Sequence, residues 1–319
     1  MKKSKAAHRK KRTRLTGYLD LIGIGLAVAT LFGFLSRLFW FFDLFSHFRV
    51  QYMQIGLVLI GIALWQRLNK RAIALILLAC LNYAFVLPLY FGKPAPTGGK
   101  PIRAMLMNIL AQNGNTDLVL NAIRQADPDI LLLEEVTPKW AEELAVLDSE
   151  YPYRIAEPQD GCFGIMLLSK HSLKNGKVVE IGEACVPSIT ADIYLPTGKV
   201  SIIGTHPLPP GNAEYSKQRN LQLMELPDMV NEQKYPVLLI GDLNVTPFSY
   251  WFTRVVSESG LNDSMKGFGF QPSWPSGNRF LRIPLDHVLH SPGITIHNRM
   301  IGNDVGSDHL PVIVDFSLK

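Results

Sequence analysis

Between Tyr18 and Leu35 the chain reads YLDLIGIGLAVATLFGFL, with Asp20 as its only charged side chain. A run this long and apolar does not suit the surface of a water-soluble domain. It is about long enough to cross the ~30 Å hydrocarbon layer of a bilayer as a helix. Two more apolar runs follow before residue 92. Val50 to Trp65 is shorter and carries Gln51 and Gln54, whereas Ala72 to Phe91 again reaches spanning length. About three transmembrane helices are therefore expected within residues 1–91. Aromatic residues in RLFWFFDLFSHF and at Tyr90 and Phe91 fall near the run ends, where amphipathic rings favour the membrane interface. A cleaved signal peptide fits the first run less well, because its apolar core is long, no small-x-small site follows and further apolar runs come after it.

Charge divides the chain at the same place. Residues 1–91 hold 13 of the 32 Lys/Arg but only Asp20 and Asp43 of the 27 Asp/Glu, so residues 92–319 hold 19 and 25 and are net acidic. Eight basic residues precede the first run and three stand in the loop QRLNKR, against Arg37 and Arg49 in the loop after the first run. With the basic segments in the cytoplasm, an odd number of spans leaves everything from residue 92 outside. The expectation is a multi-pass protein of the cell (inner) membrane with an extracytoplasmic C-terminal domain. GKPAPTGGKP reads as a flexible, proline-stiffened linker over 92–101, followed by a soluble domain over 102–319. Cys80, Cys162 and Cys185 form no CxxC pair and have no zinc-ligand spacing; a Cys162–Cys185 disulfide and two free thiols both stay open.

In that domain short apolar runs alternate with helical stretches. Arg103 to Asn108 reads as a strand, Asp117 to Ala126 as a helix and Ile130 to Leu133 as a strand after the DPD turn. Phe163 to Ser169, Ser188 to Tyr194 and Val200 to His206 read as strands with hairpin-sized links. A helix around Tyr215 to Leu226, a strand Val237 to Ile240 and a helix Tyr250 to Ser259 stopped by Gly260 follow. Leu285 to His290 and Val312 to Phe316 close the series. Hairpins mixed with interposed helices predict an α/β fold of two stacked mixed sheets flanked by helices.

Polar residues recur where these strands end, which is where a rigid scaffold displays binding and catalytic groups. They are Asn108 in MLMNIL, Glu135 in DILLLEEV, His206 in IIGTHPLPP, Asp242 and Asn244 in LLIGDLNV, Asp286 in IPLDHVLHS, and Asp308 with His309 in GSDHLPV. Each alone is explained by a turn or a solvated strand end. Their ordered co-occurrence is what resembles the endonuclease/exonuclease/phosphatase (deoxyribonuclease-like) superfamily, which also contains apurinic endonucleases, sphingomyelinases and inositol-polyphosphate phosphatases. The HPLPP extension looks like a bacterial membrane-associated subgroup.

The resemblance, carried by Ile102 to Phe316, implies a four-layer sandwich and a metal-dependent phosphoesterase. Asn108 and Glu135 are hard oxygen ligands suited to Mg²⁺ or Mn²⁺, and Asp308 is a candidate for a second ion. Strand alternation turns Glu134 to the opposite face, for a structural role. By resemblance Asp242 orients or deprotonates the attacking water and Asn244 donates to the phosphate. In the same way Asp286 fixes the His309 tautomer, and His206 meets the phosphate or leaving oxygen. His287 is expected to face away and pack, and Asn113, near the metal edge, is a weaker candidate; Arg219 on the helix after HPLPP either reaches a substrate phosphate or is a solvated helical residue, and Trp274 in QPSWPS either walls the substrate side or packs in a core or loop. The partners implied are a phosphoester substrate (nucleic acid, lipid head group or small phosphate) and the lipid bilayer. A phospholipid or sphingolipid phosphodiesterase is the rival enzyme, and a non-catalytic membrane receptor or scaffold is the rival of another class.

Overall fold

The computed structural model describes residues 2–93 and 101–319, with side chains from residue 14 onward. Most of the expected linker, residues 94–100, lies outside the described residues. The chain falls into two compact units, Met1–Leu87 and Pro88–Lys319.

The first unit is helical: α1 (Lys2–Phe34), α2 (Trp40–Ser46), α3 (Arg49–Trp65) and α4 (Asn69–Val86), the last running into a 3-10 turn at Leu87–Tyr90. Arg14–Phe34 and Asn69–Tyr90 are each long and apolar enough to cross a membrane. The middle run differs from the expectation of a plain third span. Its 17-residue helix α3 falls short alone, and reaches spanning length only together with α2, from which it is bent by 59°. Leu19, Leu26, Leu59, Ala63, Ala72 and Leu75 form the interior of this unit. Its outward face is apolar too, with Leu21, Ile24, Val58 and Leu77 all more than 60% exposed.

The second unit begins with β1 (Ile102–Asn108), α5 (Thr116–Ala126), β2 (Ile130–Glu134), α6 (Pro138–Glu143), β3 (Tyr153–Glu157) and β4 (Ile165–Ser169). It continues through β5 (Leu173–Glu180), β6 (Pro187–Leu195), β7 (Gly198–Thr205), α7 (Ala213–Asn231), β8 (Val237–Asp242) and α8 (Tyr250–Ser259). It ends with β9 (Asn262–Asp263), β10 (Asp286–His290), β11 (Ile294–Ile301) and β12 (Val312–Leu318). Two six-stranded sheets result, in the orders β11-β12-β1-β2-β4-β3 and β5-β6-β7-β8-β10-β9. Both are mixed: β1 with β2 and β7 with β8 are parallel and the other pairings antiparallel.

Period-two alternation builds the layers. Ala104, Leu106, Ile130 and Leu132 meet Ile202, Leu238 and Ile240 between the sheets, whereas Met105, Met107, Leu131 and Leu133 face outward onto Val119 and Ile123 of α5 and Trp140 of α6. On the far side Ile203 and Leu239 pack under Leu223 and Leu226 of α7 and Phe252 and Val255 of α8. The order is helices, sheet, sheet, helices, as the sequence predicts. Helix α8 also begins and stops as predicted: the Ser249 side chain accepts from the Trp251 N–H, and Gly260 ends the helix at φ 67°, a left-handed conformation that costs glycine little.

Candidate active site

Four strand ends converge. Asn108 ends β1 opposite Glu134, the last residue of β2, in parallel register. Asp242 ends β8 directly across from Asp286, which begins β10. Since β1 and β2 belong to one sheet and β8 and β10 to the other, the site lies where the two sheets open at one end.

Glu134 and Glu135 take opposite paths. Glu134 keeps the alternation of β2 and points between the sheets, fully buried, where both carboxyl oxygens accept from the Asp242 N–H at 3.1 Å. Burial first, then the nearby Asp242 and Asp286, push the Glu134 carboxyl well above its ordinary value. Glu135 leaves the strand in a left-handed conformation, φ 62°. Its Oε1 accepts from Asn108 Nδ2 at 3.0 Å and its Oε2 from the Ala111 N–H at 2.9 Å. Asn244 is also left-handed, φ 51°; its Nδ2 donates to the Pro207 carbonyl and its N–H to Asp242 Oδ1, both at 2.9 Å. Such backbone costs a non-glycine residue about 1–3 kcal/mol and persists where surrounding hydrogen bonds over-determine it.

The other half of the site is a buried chain of charges. His309 Nδ1 lies 2.9 Å from Asp286 Oδ2, and its Nε2 lies 3.5 Å from Asp242 Oδ2. His206 Nε2 approaches the same Asp242 oxygen at 3.6 Å. Burial acts to lower the His309 imidazole, but the carboxylates of Asp286 and Asp242 outweigh it and hold it up to about 10. Burial likewise raises Asp286, and the His309 charge and hydrogen bond more than reverse it, leaving Asp286 lowered. Asp242 is raised, because burial exceeds the help from His309. His206 is lowered by burial, which Asp242 offsets only partly, and its buried Nδ1 has no hydrogen-bond partner among the described residues. The outcome is one imidazolium beside one largely neutral imidazole, both facing Asp242.

Asp308 is exposed and its Oδ2 accepts from Trp274 Nε1 at 3.0 Å. Burial, then Glu135 and more weakly Asp308, push the Cys162 thiol up, so both carboxylates bear on that side of the cleft. Asp242, Asp286 and His309 also bring ligand atoms within 4.8 Å of one another. An imidazolium in that trio opposes a cation, whereas Glu135 with Asn108 offers hard oxygens without a competing positive group.

A family model for the endonuclease/exonuclease/phosphatase family matches residues 105–309, more than half of the chain. The chain belongs to this family. Solved structures agree in fold. An endonuclease/exonuclease/phosphatase from Beutenbergia cavernae aligns at TM-score 0.55 with 20% identity, covering 69% of this chain and 72% of that one. The human Nocturnin catalytic domain with bound sulfate aligns at 0.56 with 21% identity, covering 69% and 95%. TDP2 from D. rerio, complexed with a single strand DNA product, aligns at 0.57 with 15% identity, covering 69% and 100%. No curated protein sequence matches the chain.

Several residues of this family member stand differently from their sequence expectation. Arg219 is not solvated: α7 turns it inward, fully buried, and its Nη1 donates to the Asn244 carbonyl at 2.9 Å, bracing that left-handed residue. Trp274 lies against the site rather than in a core, with its ring 6.4 Å from His309 and its N–H on Asp308. Asn113 staples its loop, donating to the Ile109 and Val305 carbonyls. His287 packs away from the cleft on Phe252, as expected. Cys162 and Cys185 are free thiols in loops, one before β4 and the other between β5 and β6, which belong to different sheets. Ser273 and Arg299 went unnoticed in the sequence. Ser273 Oγ accepts from the Asp286 N–H at 3.4 Å, and buried Arg299 donates to the Asp286 carbonyl at 3.2 Å. Neither stands in a motif, so only contact across the fold reveals them.

Proposed function

We propose that the chain is a membrane-anchored, Mg²⁺- or Mn²⁺-dependent phosphoesterase. The observation that carries this reading is the buried Asp286–His309–Asp242 chain, at 2.9 and 3.5 Å, across the cleft from the hydrogen-bonded Asn108–Glu135 pair. A phosphoester is anionic and repels hydroxide, so hydrolysis needs positive charge on the phosphoryl oxygens, an oriented water and a stabilised leaving group. Glu135 and Asn108 would hold a divalent ion and Asp308 a second one, and such ions would supply Lewis-acid charge to the phosphoryl oxygens. His309, kept cationic by Asp286, offsets charge developing on phosphorus-bound oxygen. Asp242 orients and deprotonates the attacking water, Asn244 donates to the phosphate, and His206 meets the phosphate or leaving oxygen. The sulfate in the Nocturnin domain and the DNA product in TDP2 lend support to an anionic phosphate-like substrate.

Anchoring is supported by Arg14–Phe34 and Asn69–Tyr90 and by the apolar outer face of their unit. The eight basic residues up to Arg14 and the three in QRLNKR support a domain outside the cell membrane. The test is initial rate on bis-p-nitrophenyl phosphate against Mg²⁺ concentration, with chelator as control. Metal-independent turnover, or none under any metal, removes the reading. Alkaline phosphatase fused after Lys100 is expected to be active; a fluorescent cytoplasmic reporter there reverses the orientation.

A further inference from the structure

Residues 88–93 carry the chain out of the span-length helix Asn69–Tyr90, and they belong to the second unit. They are seated on it. The Leu89 carbonyl accepts from two N–H groups at once, Gly267 at 2.8 Å and Gly269 at 2.9 Å. Leu89 itself is buried, and Lys93 Nζ lies 5.2 Å from the ring centre of Phe268, the residue between the two glycines. The glycines are what permit this seat. Each has a left-handed backbone, φ 89° at Gly267 and 82° at Gly269, which glycine adopts without steric cost. A Cβ on Gly267 would stand 2.4 Å from the Lys93 nitrogen, and one on Gly269 2.9 Å from the Tyr90 ring. The stretch KGFGF is therefore shaped for another piece of backbone to lie against it.

The loop that makes the seat runs on into the candidate active site. Gln271 Nε2 donates to the Phe268 carbonyl at 3.5 Å and to the Arg299 carbonyl at 2.8 Å, and its Oε1 accepts from Arg299 Nη1 at 2.6 Å. Arg299 also donates to Ser264 Oγ and to the Asp286 carbonyl, both at 3.2 Å. Two residues past Gln271, Ser273 Oγ accepts from the Asp286 N–H at 3.4 Å, and the Ser273 carbonyl accepts at 3.0 Å from the N–H of Leu310, next to His309. One short stretch, residues 264–273, thus holds the backbone of residues 89–93 at one end and both sides of the Asp286–His309 pair at the other. Buried Arg299 leaves it little freedom, because a shift would strand a charged donor. The 2.9 Å contact between Asp286 and His309 in turn tolerates little displacement.

We propose that residues 89–93 are a positioning element of the hydrolytic site: seated on Gly267 and Gly269, they fix the 264–273 loop, and through Gln271, Arg299 and Ser273 that loop keeps Asp286 in register with His309. This rests on the phosphoesterase reading above, and two measurements on the full chain in lipid nanodiscs separate the failures. The first is hydrogen exchange. The Gly267 and Gly269 amides are expected to exchange at least about tenfold more slowly than the amide of exposed Gly277. Gly267→Ala drives a Cβ into the Lys93 backbone, and is expected to release the protection at Gly269 and to speed exchange at Leu285 and Asp286. Gly260→Ala is the control: φ is 67° there, so the backbone strain is alike, but nothing beyond its chain neighbours lies within 4 Å of the added Cβ. Parent amides as fast as Gly277, or equal effects of the two substitutions at Leu285 and Asp286, refute the seat whatever the enzyme does.

The second is turnover of bis-p-nitrophenyl phosphate. Gly267→Ala is expected to lower kcat about tenfold with KM and the Mg²⁺ requirement little changed, against less than about twofold for Gly260→Ala. Tyr90→Ser/Lys93→Ser loosens the segment without touching the loop; it is expected to lower kcat about threefold and serves where Gly267→Ala does not fold. In the His309→Ala background neither change is expected to cost anything further, because groups acting as a unit are not additive. An equal loss in both backgrounds makes the seat merely structural, and an unchanged kcat makes it idle; either overturns the proposal. A parent inactive under any metal removes the phosphoesterase reading and the positioning role with it, while the exchange result still decides the seat.

Discussion

Arg49 in the helical unit and His309 in the second unit are both buried cations, and their charges are met in different ways. In the helical unit Arg49 is 1% exposed; its guanidinium lies between the rings of Phe34 and Phe85 at 4.6 and 4.7 Å and donates to Asn82 Oδ1 and the Thr30 carbonyl. Ring faces and neutral dipoles answer the charge, and the result is a polar staple joining α1, α3 and α4. In the second unit the His309 imidazolium is answered by two full carboxylates, Asp286 on one nitrogen and Asp242 facing the other. One carboxylate fixes the ring and the other stays available to chemistry. Neutral partners suit a staple that only holds helices together, and counter-charges suit the proton-moving role proposed for the second site.

The comparison breaks most visibly if activity is tested first. Asp242→Asn and His309→Ala are each expected to lower kcat about 10²–10⁴-fold with the circular dichroism spectrum unchanged. Asp286→Asn is expected to follow His309→Ala, with the double variant hardly worse than either single one, because the pair acts as a unit. Near-normal turnover in Asp242→Asn or His309→Ala would falsify the assignment. Arg49→Leu should do the reverse: it strands the Asn82 amide oxygen and costs about 2–3 kcal/mol, read as a lower Tm in detergent, while kcat on a soluble ester holds. A kcat that falls with the Tm would erase the distinction between the two units. Smaller again is Glu135→Gln, expected to raise the Mg²⁺ needed for half-maximal rate about tenfold with kcat at saturation less affected.

A pH series sharpens the contrast. Because His309 is raised from 6.5 to about 10 in the fold, its contribution to stability is complete below pH 6.5 and fades as pH climbs through about 10. His309→Gln should therefore show a flatter stability profile between those limits than the parent, and parallel profiles would count against the ion pair. The smallest effect belongs to Cys162→Ser/Cys185→Ser, free thiols in separate loops, expected within about 0.5 kcal/mol of the parent by denaturant unfolding.

How far the fold was legible follows a physical line. The eight strands read from the sequence are the ones flanked on both sides: β12, β1, β2 and β4 in one sheet and β6, β7, β8 and β10 in the other. The four missed, β11, β3, β5 and β9, are the sheet edges. β5 shows why: in LKNGKVVE only Leu173 and Val179 are even partly buried, so no apolar run or clean alternation marks it. An edge strand is fixed by its neighbour's hydrogen bonds, which a sequence pattern does not record.

The site divides in the same way. Asn108, Glu135, Asp242, Asn244, Asp286 and His309 stand in short motifs at strand ends, so residue type and order were enough to single them out. Strand alternation alone also sent Glu134 away from Glu135. What the sequence could not give is which groups touch. Placing Asp242 and Asp286 opposite each other needs the β8–β10 register, and placing Glu134 under the Asp242 N–H needs the two sheets stacked. Arg219 on the Asn244 carbonyl needs the rotation of α7. Periodicity and motif order are written along the chain, where local sterics and burial act residue by residue. Contact between distant residues, and the pKa values that follow from it, exist only once the whole chain has packed.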